Sequence, residues 1–236
     1  MLAAGRQAVQ RDPEGDPRRR PHDIIVRMFR DRADAGEQLA DAVAELVEGP
    51  AVVLGIPRGG VIVGAPVAQR LGCALDVVIT HKLGAPDNPE LAVGAVAPGV
   101  RVIDARMVAG LRVPPAYLEE EVARQEQEIA RRMAVYRGDL PAPDLTGRTA
   151  VVVDDGVATG ATAVAALRWA RGAGAARVVF AAPVGPEGVQ ARLSSECDAS
   201  VILRTPFDLR AVGQWYERFA QVGDDDVRRA LAAGVA

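Results

Sequence analysis

The chain has 236 residues, 49% of them apolar, and a formal net charge of -3. That length fits one well-filled α/β domain with additions, and the charge balance provides no basic field for nucleic acid or an anionic membrane. Two cysteines without a Cys-x-x-Cys spacing and two histidines, His22 and His81, leave little material for a disulfide framework, a His-based zinc site or a Ser-His-Asp triad. No apolar run reaches the length of a membrane span and the first residues lack a secretory pattern, so Cys73 and Cys197 read as small buried hydrophobes of a cytoplasmic protein.

Residues 1–22 are charged, aperiodic and rich in proline, with Arg18, Arg19 and Arg20 in a row; they read as a disordered tail before a domain at 23–236. Order begins near Phe29. Asp34 is expected to cap a helix running to about Glu48, with Leu39, Val43, Leu46 and Val47 on one face, stopped by Gly49-Pro50. Ala51 to Ile56 predicts a short strand, followed by the loop Pro57-Arg58-Gly59-Gly60 and a helix to about Leu71. Leu75 to Thr80 predicts the next strand, apolar throughout as a strand covered on both faces should be. Residues 81–143 read as an insertion. Its first part is rich in glycine and proline, with short strands expected at Leu91–Ala97 and Arg101–Ile103. Its second part is a long amphipathic helix from Pro115 to Tyr136, with Leu118, Val122, Ile129, Met133 and Tyr136 in one stripe and Glu120–Arg124 and Glu128–Arg132 as i,i+4 pairs. Then come a strand at 149–153, a helix to Arg171, a strand at Arg177–Ala182, a helix near Pro186–Leu193 and a strand at Ala199–Leu203. A C-terminal cap carries Trp215, Tyr216 and Phe219. Strands alternating with helices predict an α/β, doubly wound, mainly parallel sheet, so the loops after strands 51–56, 75–80 and 149–153 should face one cleft.

The most informative stretch is Val151-Val152-Val153-Asp154-Asp155-Gly156-Val157-Ala158-Thr159-Gly160-Ala161-Thr162. A β-branched run ends in two adjacent acids, and a loop of small residues leads into a helix. Glycines allow close backbone approach to an anion, and the first N–H groups of the helix favour negative charge. Thr159 and Thr162 add hydroxyl donors. The acids suit sugar hydroxyls or a cation beside them, so the combined ligand is a sugar phosphate. The loop Pro57-Arg58-Gly59-Gly60 offers consecutive N–H groups and one guanidinium, a combination suited to a diphosphate; the alternative is a plain turn with a surface arginine.

The Asp154–Thr162 motif resembles the phosphoribosyl diphosphate (PRPP) signature of type I phosphoribosyltransferases. With the Asp31–Gly36 start, the His81–Pro86 run and the Ala211–Tyr216 end, the chain is similar over about residues 29–227 to an uncharacterised bacterial subgroup of that family. The resemblance implies transfer of ribose 5-phosphate from PRPP to a nitrogen acceptor, a nucleobase, with Mg²⁺ as cofactor and pyrophosphate released. Asp154 and Asp155 would grip the ribose diol and meet Mg²⁺ indirectly, through those hydroxyls or water. Gly156, Val157, Ala158, Thr159, Gly160, Ala161 and Thr162 would hold the 5-phosphate. Pro57, Arg58, Gly59 and Gly60 would hold the diphosphate, and Lys82, on a flexible loop, would meet it as it leaves; the alternative for this run is a β-hairpin with no ligand contact. His81 stands where the subgroup typically has arginine, which puts any contact of that arginine in doubt. Ala158 stands where the hypoxanthine-guanine enzymes have an acid, so the pattern looks more like that of the adenine enzymes. Trp215 and Tyr216 can stack on a base or simply pack on a core edge. The resemblance further implies a homo-oligomer, a dimer, with small-molecule partners only. The competing function is a PRPP sensor without turnover.

Overall fold

The computed structural model describes residues 28–138 and 141–234; the expected tail at 1–22 lies outside the described residues. Helix α1 (Arg32–Ala44) is capped by Asp31, whose carboxylate accepts from the Asp34 N–H at 3.1 Å. Asp34, expected as the cap, lies inside the first turn, where its charge faces the positive end of the helix and binds Arg30. The helix buries Leu39 and Val43 and stops short of Glu48. Strand β1 (Ala51–Gly55) follows, then helix α2 (Gly59–Leu71) and strand β2 (Ala74–Val77). β2 is shorter than expected, although Val78 and Ile79 beyond it are fully buried.

The glycine-rich stretch after β2 is more regular than its composition implies. It builds β3 (His81–Ala85), β4 (Asn88–Ala97) and β5 (Val100–Ile103), a separate antiparallel sheet in that order. A short helix α3 (Ala105–Gly110), not expected from the sequence, precedes α4 (Pro115–Arg137). α4 packs on β3 and buries Val122, Ile129 and Tyr136 of the expected stripe. Glu128 binds Arg132 at 2.7 Å as the spacing predicts, but Arg124 turns to the buried Glu121 instead of Glu120.

Strand β6 (Thr149–Val153), helix α5 (Ala161–Gly172), strand β7 (Arg177–Val184), helix α6 (Val189–Leu193) and strand β8 (Ala199–Arg204) complete the main sheet. Its order is β2-β1-β6-β7-β8, all parallel. Alternation along the strands divides the core. Val53, Val151 and Val153 face the side of α1 and α2, whereas Val52, Leu54 and Val152 pack with Leu167 of α5 and Phe180. Both faces are therefore covered, which is why β1 and β6 read as unbroken apolar runs. The C-terminal segment forms a 3₁₀ turn at Val212–Trp215 and ends in helix α7 (Asp224–Ala233), also not expected. Its Phe29 contact is direct: the Phe29 N–H donates to the Trp215 carbonyl at 2.9 Å, tying the first described residues to the last segment. Cys73 and Cys197 are half-buried rather than fully buried, and the partial desolvation of their thiols pushes both above the usual range.

Candidate functional site

In the order β2-β1-β6-β7-β8, the connection from β1 runs to one side and that from β6 to the other. The crevice beyond the carboxyl ends of β1 and β6 is thus the switch point, where open α/β sheets bind ligands. The two strand ends are locked together there. The Ile56 N–H donates to the Val153 carbonyl at 2.8 Å. Gly60 lies so close that an added Cβ would stand 2.4 Å from the Val153 oxygen, and one on Gly59 would stand 1.9 Å from Asp155 Oδ2. Only glycine permits the first turn of α2 to approach the acids this closely. The Pro57–Arg58 peptide between β1 and these glycines is cis.

Asp155 is held at three points. Its carboxylate accepts from Arg32 Nε at 2.7 Å, its N–H donates to Asp154 Oδ1 at 2.8 Å, and its carbonyl accepts from the Tyr216 hydroxyl at 2.5 Å. Burial, then the neighbouring Asp155 charge, push the Asp154 carboxyl well above the usual carboxylate range, while the Lys82 charge acts in the other direction. Burial likewise pushes the Tyr216 hydroxyl far up, with the Asp155 charge adding to it. Beyond the acids, Gly160 adopts φ 80° and opens α5 without a side chain of its own to cap it; the Ala161 N–H donates to the Thr159 hydroxyl at a long 3.5 Å. Thr159 is exposed there, and Val157 is anchored by its N–H on the Val184 carbonyl at 2.9 Å. An added Cβ on Gly156 would fall 2.4 Å from Val212, so the C-terminal segment lies directly over this loop.

Pro57, Arg58, Gly59, Asp154 and Asp155 line one cavity of 440 Å³, together with Arg32 and the Phe219–Val222 segment. Lys82, Thr159 and Ala161 line a second cavity of 550 Å³, roofed by β4, β5 and α3. Lys82 is exposed on β3, opposite Ala95. Its neighbour His81 points the other way along the strand: His81 Nδ1 meets Gln125 Oε1 at 2.7 Å, and the Gln125 amide donates to the buried Glu121 at 2.9 Å. Tyr216 is 4% exposed, with its ring centroid 5.5 Å from Phe29 and 5.1 Å from Phe219. Of the two readings of this aromatic pair, core packing is the one Tyr216 fits; Trp215 is partly exposed beside it.

Among the described residues there is no group of three or more His, Cys, Asp or Glu side chains able to hold a metal by themselves. Two adjacent carboxylates, with Asp154 desolvated, suit a hard cation that keeps its water and arrives with a diphosphate. Arg32 and the Phe219–Val222 segment were not expected in this lining, nor was Asp224 beside it, which lies 4.0 Å from Arg58 and accepts from the Tyr136 hydroxyl at 2.6 Å.

The chain is similar to known proteins over most of its described length. A protein of Mycobacterium tuberculosis H37Rv, named provisionally as a phosphoribosyl transferase, is 46% identical over 203 residues, covering 86% of this chain and 46% of its own length. The chain thus spans about half the length of such relatives. The adenine phosphoribosyltransferase of Mycobacterium marinum is 31% identical over 160 residues, covering 68% of this chain and 67% of that protein. The crystal structure of TT1426 from Thermus thermophilus superposes with a TM-score of 0.74 at 44% identity, over 89% of this chain and all of that one. Residues 30–217 match the phosphoribosyl transferase domain, and the chain belongs to that family.

Proposed function

We propose that this protein is a Mg²⁺-dependent phosphoribosyltransferase that moves the ribose 5-phosphate group of PRPP onto a nitrogen of a nucleobase and releases pyrophosphate. The observation that carries the reading is the Asp154–Asp155 pair at the switch point, flanked by the Arg58 loop on one side and the glycine-opened start of α5 on the other. An anion-binding loop on either side of a diol-binding pair of acids suits a sugar phosphate whose anomeric carbon bears a diphosphate. Thr159 to Thr162 and the first N–H groups of α5 bind the 5-phosphate. Asp154 and Asp155 accept from the ribose hydroxyls, and their charge offsets the oxocarbenium-like sugar as the bond to the diphosphate lengthens. Arg58 and the N–H of Gly59 receive the departing pyrophosphate, with Lys82 approaching from β3; the Gly60 N–H, expected to join them, donates to the Ile56 carbonyl at 3.0 Å instead. When bound with the substrate, Mg²⁺ supplies positive charge against the diphosphate. The acceptor nitrogen bonds to the anomeric carbon as the diphosphate leaves. Most of the catalysis is positioning and electrostatics. The likeness to an adenine enzyme and the Ala158 position favour a nucleobase that needs no acid beside the diacid loop.

The test is PRPP-dependent pyrophosphate release across a panel of purines, pyrimidines and amines. Release with one nucleobase is the expected result. PRPP binding without release for any acceptor would make the protein a sensor, and release only with non-base amines would replace the acceptor class.

A further inference from the structure

We propose that Arg32 is a positioning residue of the sugar site: it aims the Asp155 carboxylate at the ribose diol and latches the Phe219–Val222 wall to that carboxylate. The inference rests on the PRPP reading above and adds to it a residue 123 positions away from the acid it holds.

Arg32 opens α1 immediately after its cap, and the cap itself is fixed because Arg218 donates to Asp31 Oδ2 at 2.6 Å. From there the guanidinium reaches three partners at once. Nε donates to Asp155 Oδ2 at 2.7 Å, Nη1 donates to the Ala220 carbonyl at 2.7 Å, and Cζ stands 3.7 Å from the centre of the Phe219 ring. The side chains of Arg32 and Asp155 are only 11% and 18% exposed. Gly59 leaves the space in which they meet; a Cβ there would be 1.9 Å from Asp155 Oδ2 and 2.8 Å from Arg32 Nε.

The geometry demands an arginine. Two hydrogen bonds at a fixed angle and a ring under the flat face call for a planar fork, which an ammonium cannot reproduce. The location also separates this pair from ordinary surface ion pairs such as Arg70–Asp41, whose side chains are mostly exposed and which contribute little. Arg32 lines the same cavity as both acids and Arg58. Asp155 is fixed through its backbone by Asp154 and Tyr216, but Arg32 is the only cationic side chain among the described residues that bonds its carboxylate. Without Arg32 that carboxylate is free to rotate, and a diol that needs two acids in register would bind to a fraction of the population.

The experiment is calorimetric binding of ribose 5-phosphate and, separately, of pyrophosphate to wild type, Arg32→Ala, Arg32→Lys, Asp155→Asn and the Arg32→Ala/Asp155→Asn double variant. A positioning role predicts that Arg32→Ala weakens ribose 5-phosphate about 10- to 100-fold, the size of a lost charge-assisted contact. Pyrophosphate, which needs no diol acid, should change less than about two-fold, and the double variant should be no worse than Asp155→Asn. Arg32→Lys should recover part of the loss, and it carries the test if Arg32→Ala does not fold. Equal weakening of both ligands, no weakening, or simply additive penalties would overturn the assignment and leave Arg32 a strut of the fold. Wild type that binds neither ligand would instead defeat the PRPP reading, and this inference with it.

Discussion

The Tyr216 hydroxyl donates to the Asp155 carbonyl at 2.5 Å across 61 residues of chain. The bond joins the C-terminal segment to the acid loop and explains why an aromatic side chain near the end of the chain is 4% exposed. Tyr216→Phe keeps the ring and removes only this bond, leaving a carbonyl of the site without its partner. We expect a loss of about 1 kcal/mol, a fall of about 2–4 °C in melting temperature. Ribose 5-phosphate should also bind more weakly. If the ring instead served as an open stacking face, the variant would melt and bind like wild type.

Arg58 lines the cavity of the acids but lies on the opposite loop, after β1. Arg58→Ala should weaken pyrophosphate by about 1.5–3 kcal/mol, the range of a charge-assisted hydrogen bond, and ribose 5-phosphate by much less. Comparable losses for the two ligands in direct titration would reassign Arg58 to general charge or to its contact with Asp224.

Asp154→Asn and Asp155→Asn preserve shape and remove charge. Each should lower turnover about 10²- to 10³-fold, by analogy with the loss of one preorganised donor in an oxyanion site, while the melting curve remains cooperative. Near-normal turnover in both variants would mean that the acids only terminate β6.

His81 supplies a pH dependence with a definite sign. Burial is the largest cause lowering its pKa from 6.5, with the Arg131 and Arg132 charges acting in the same direction and Glu128 and the Gln125 hydrogen bond opposing. Gln125 donates its amide to Glu121, so its oxygen accepts and His81 carries its proton on Nδ1; Nε2 is buried with no partner among the described residues. The unfolded chain takes up a proton near 6.5 that the folded protein resists, so this contribution to stability is complete above 6.5 and is lost as the pH falls below it. Denaturant midpoints at about pH 7.5 and about pH 5 should therefore differ more for wild type than for His81→Gln. An identical difference in the two proteins would rule the histidine out.

The parts of the site legible in the sequence are those written contiguously. The valine run, the two acids and the small-residue loop lie in one stretch, and a strand covered on both faces followed by a helix start has a local signature. The same is true of Pro57–Gly60 after β1. What holds Asp155 is not legible, because Arg32 and Tyr216 reach it from 123 and 61 residues away and no local periodicity encodes such pairings. β3 reads as part of a flexible loop since His81, Lys82 and Gly84 are poor strand formers; pairing with β4 overrides that preference. The helix α7 does carry a local signal: Gly223 followed by Asp224, Asp225 and Asp226 places three acids in a first turn, with Asp226 bonding back to the Gly223 N–H at 2.8 Å.

The most direct test of the account is the thermal stability of wild type with PRPP and Mg²⁺ in the absence of any acceptor. Ligand at about a hundred times its dissociation constant should add about 2.7 kcal/mol, a rise of about 5–11 °C for a chain of this size. Ribose 5-phosphate should give a smaller rise, because it lacks the diphosphate contacts of Arg58 and Gly59. An unchanged melting temperature with PRPP at millimolar concentration would contradict the assignment of the Asp154–Asp155 cleft as a PRPP site.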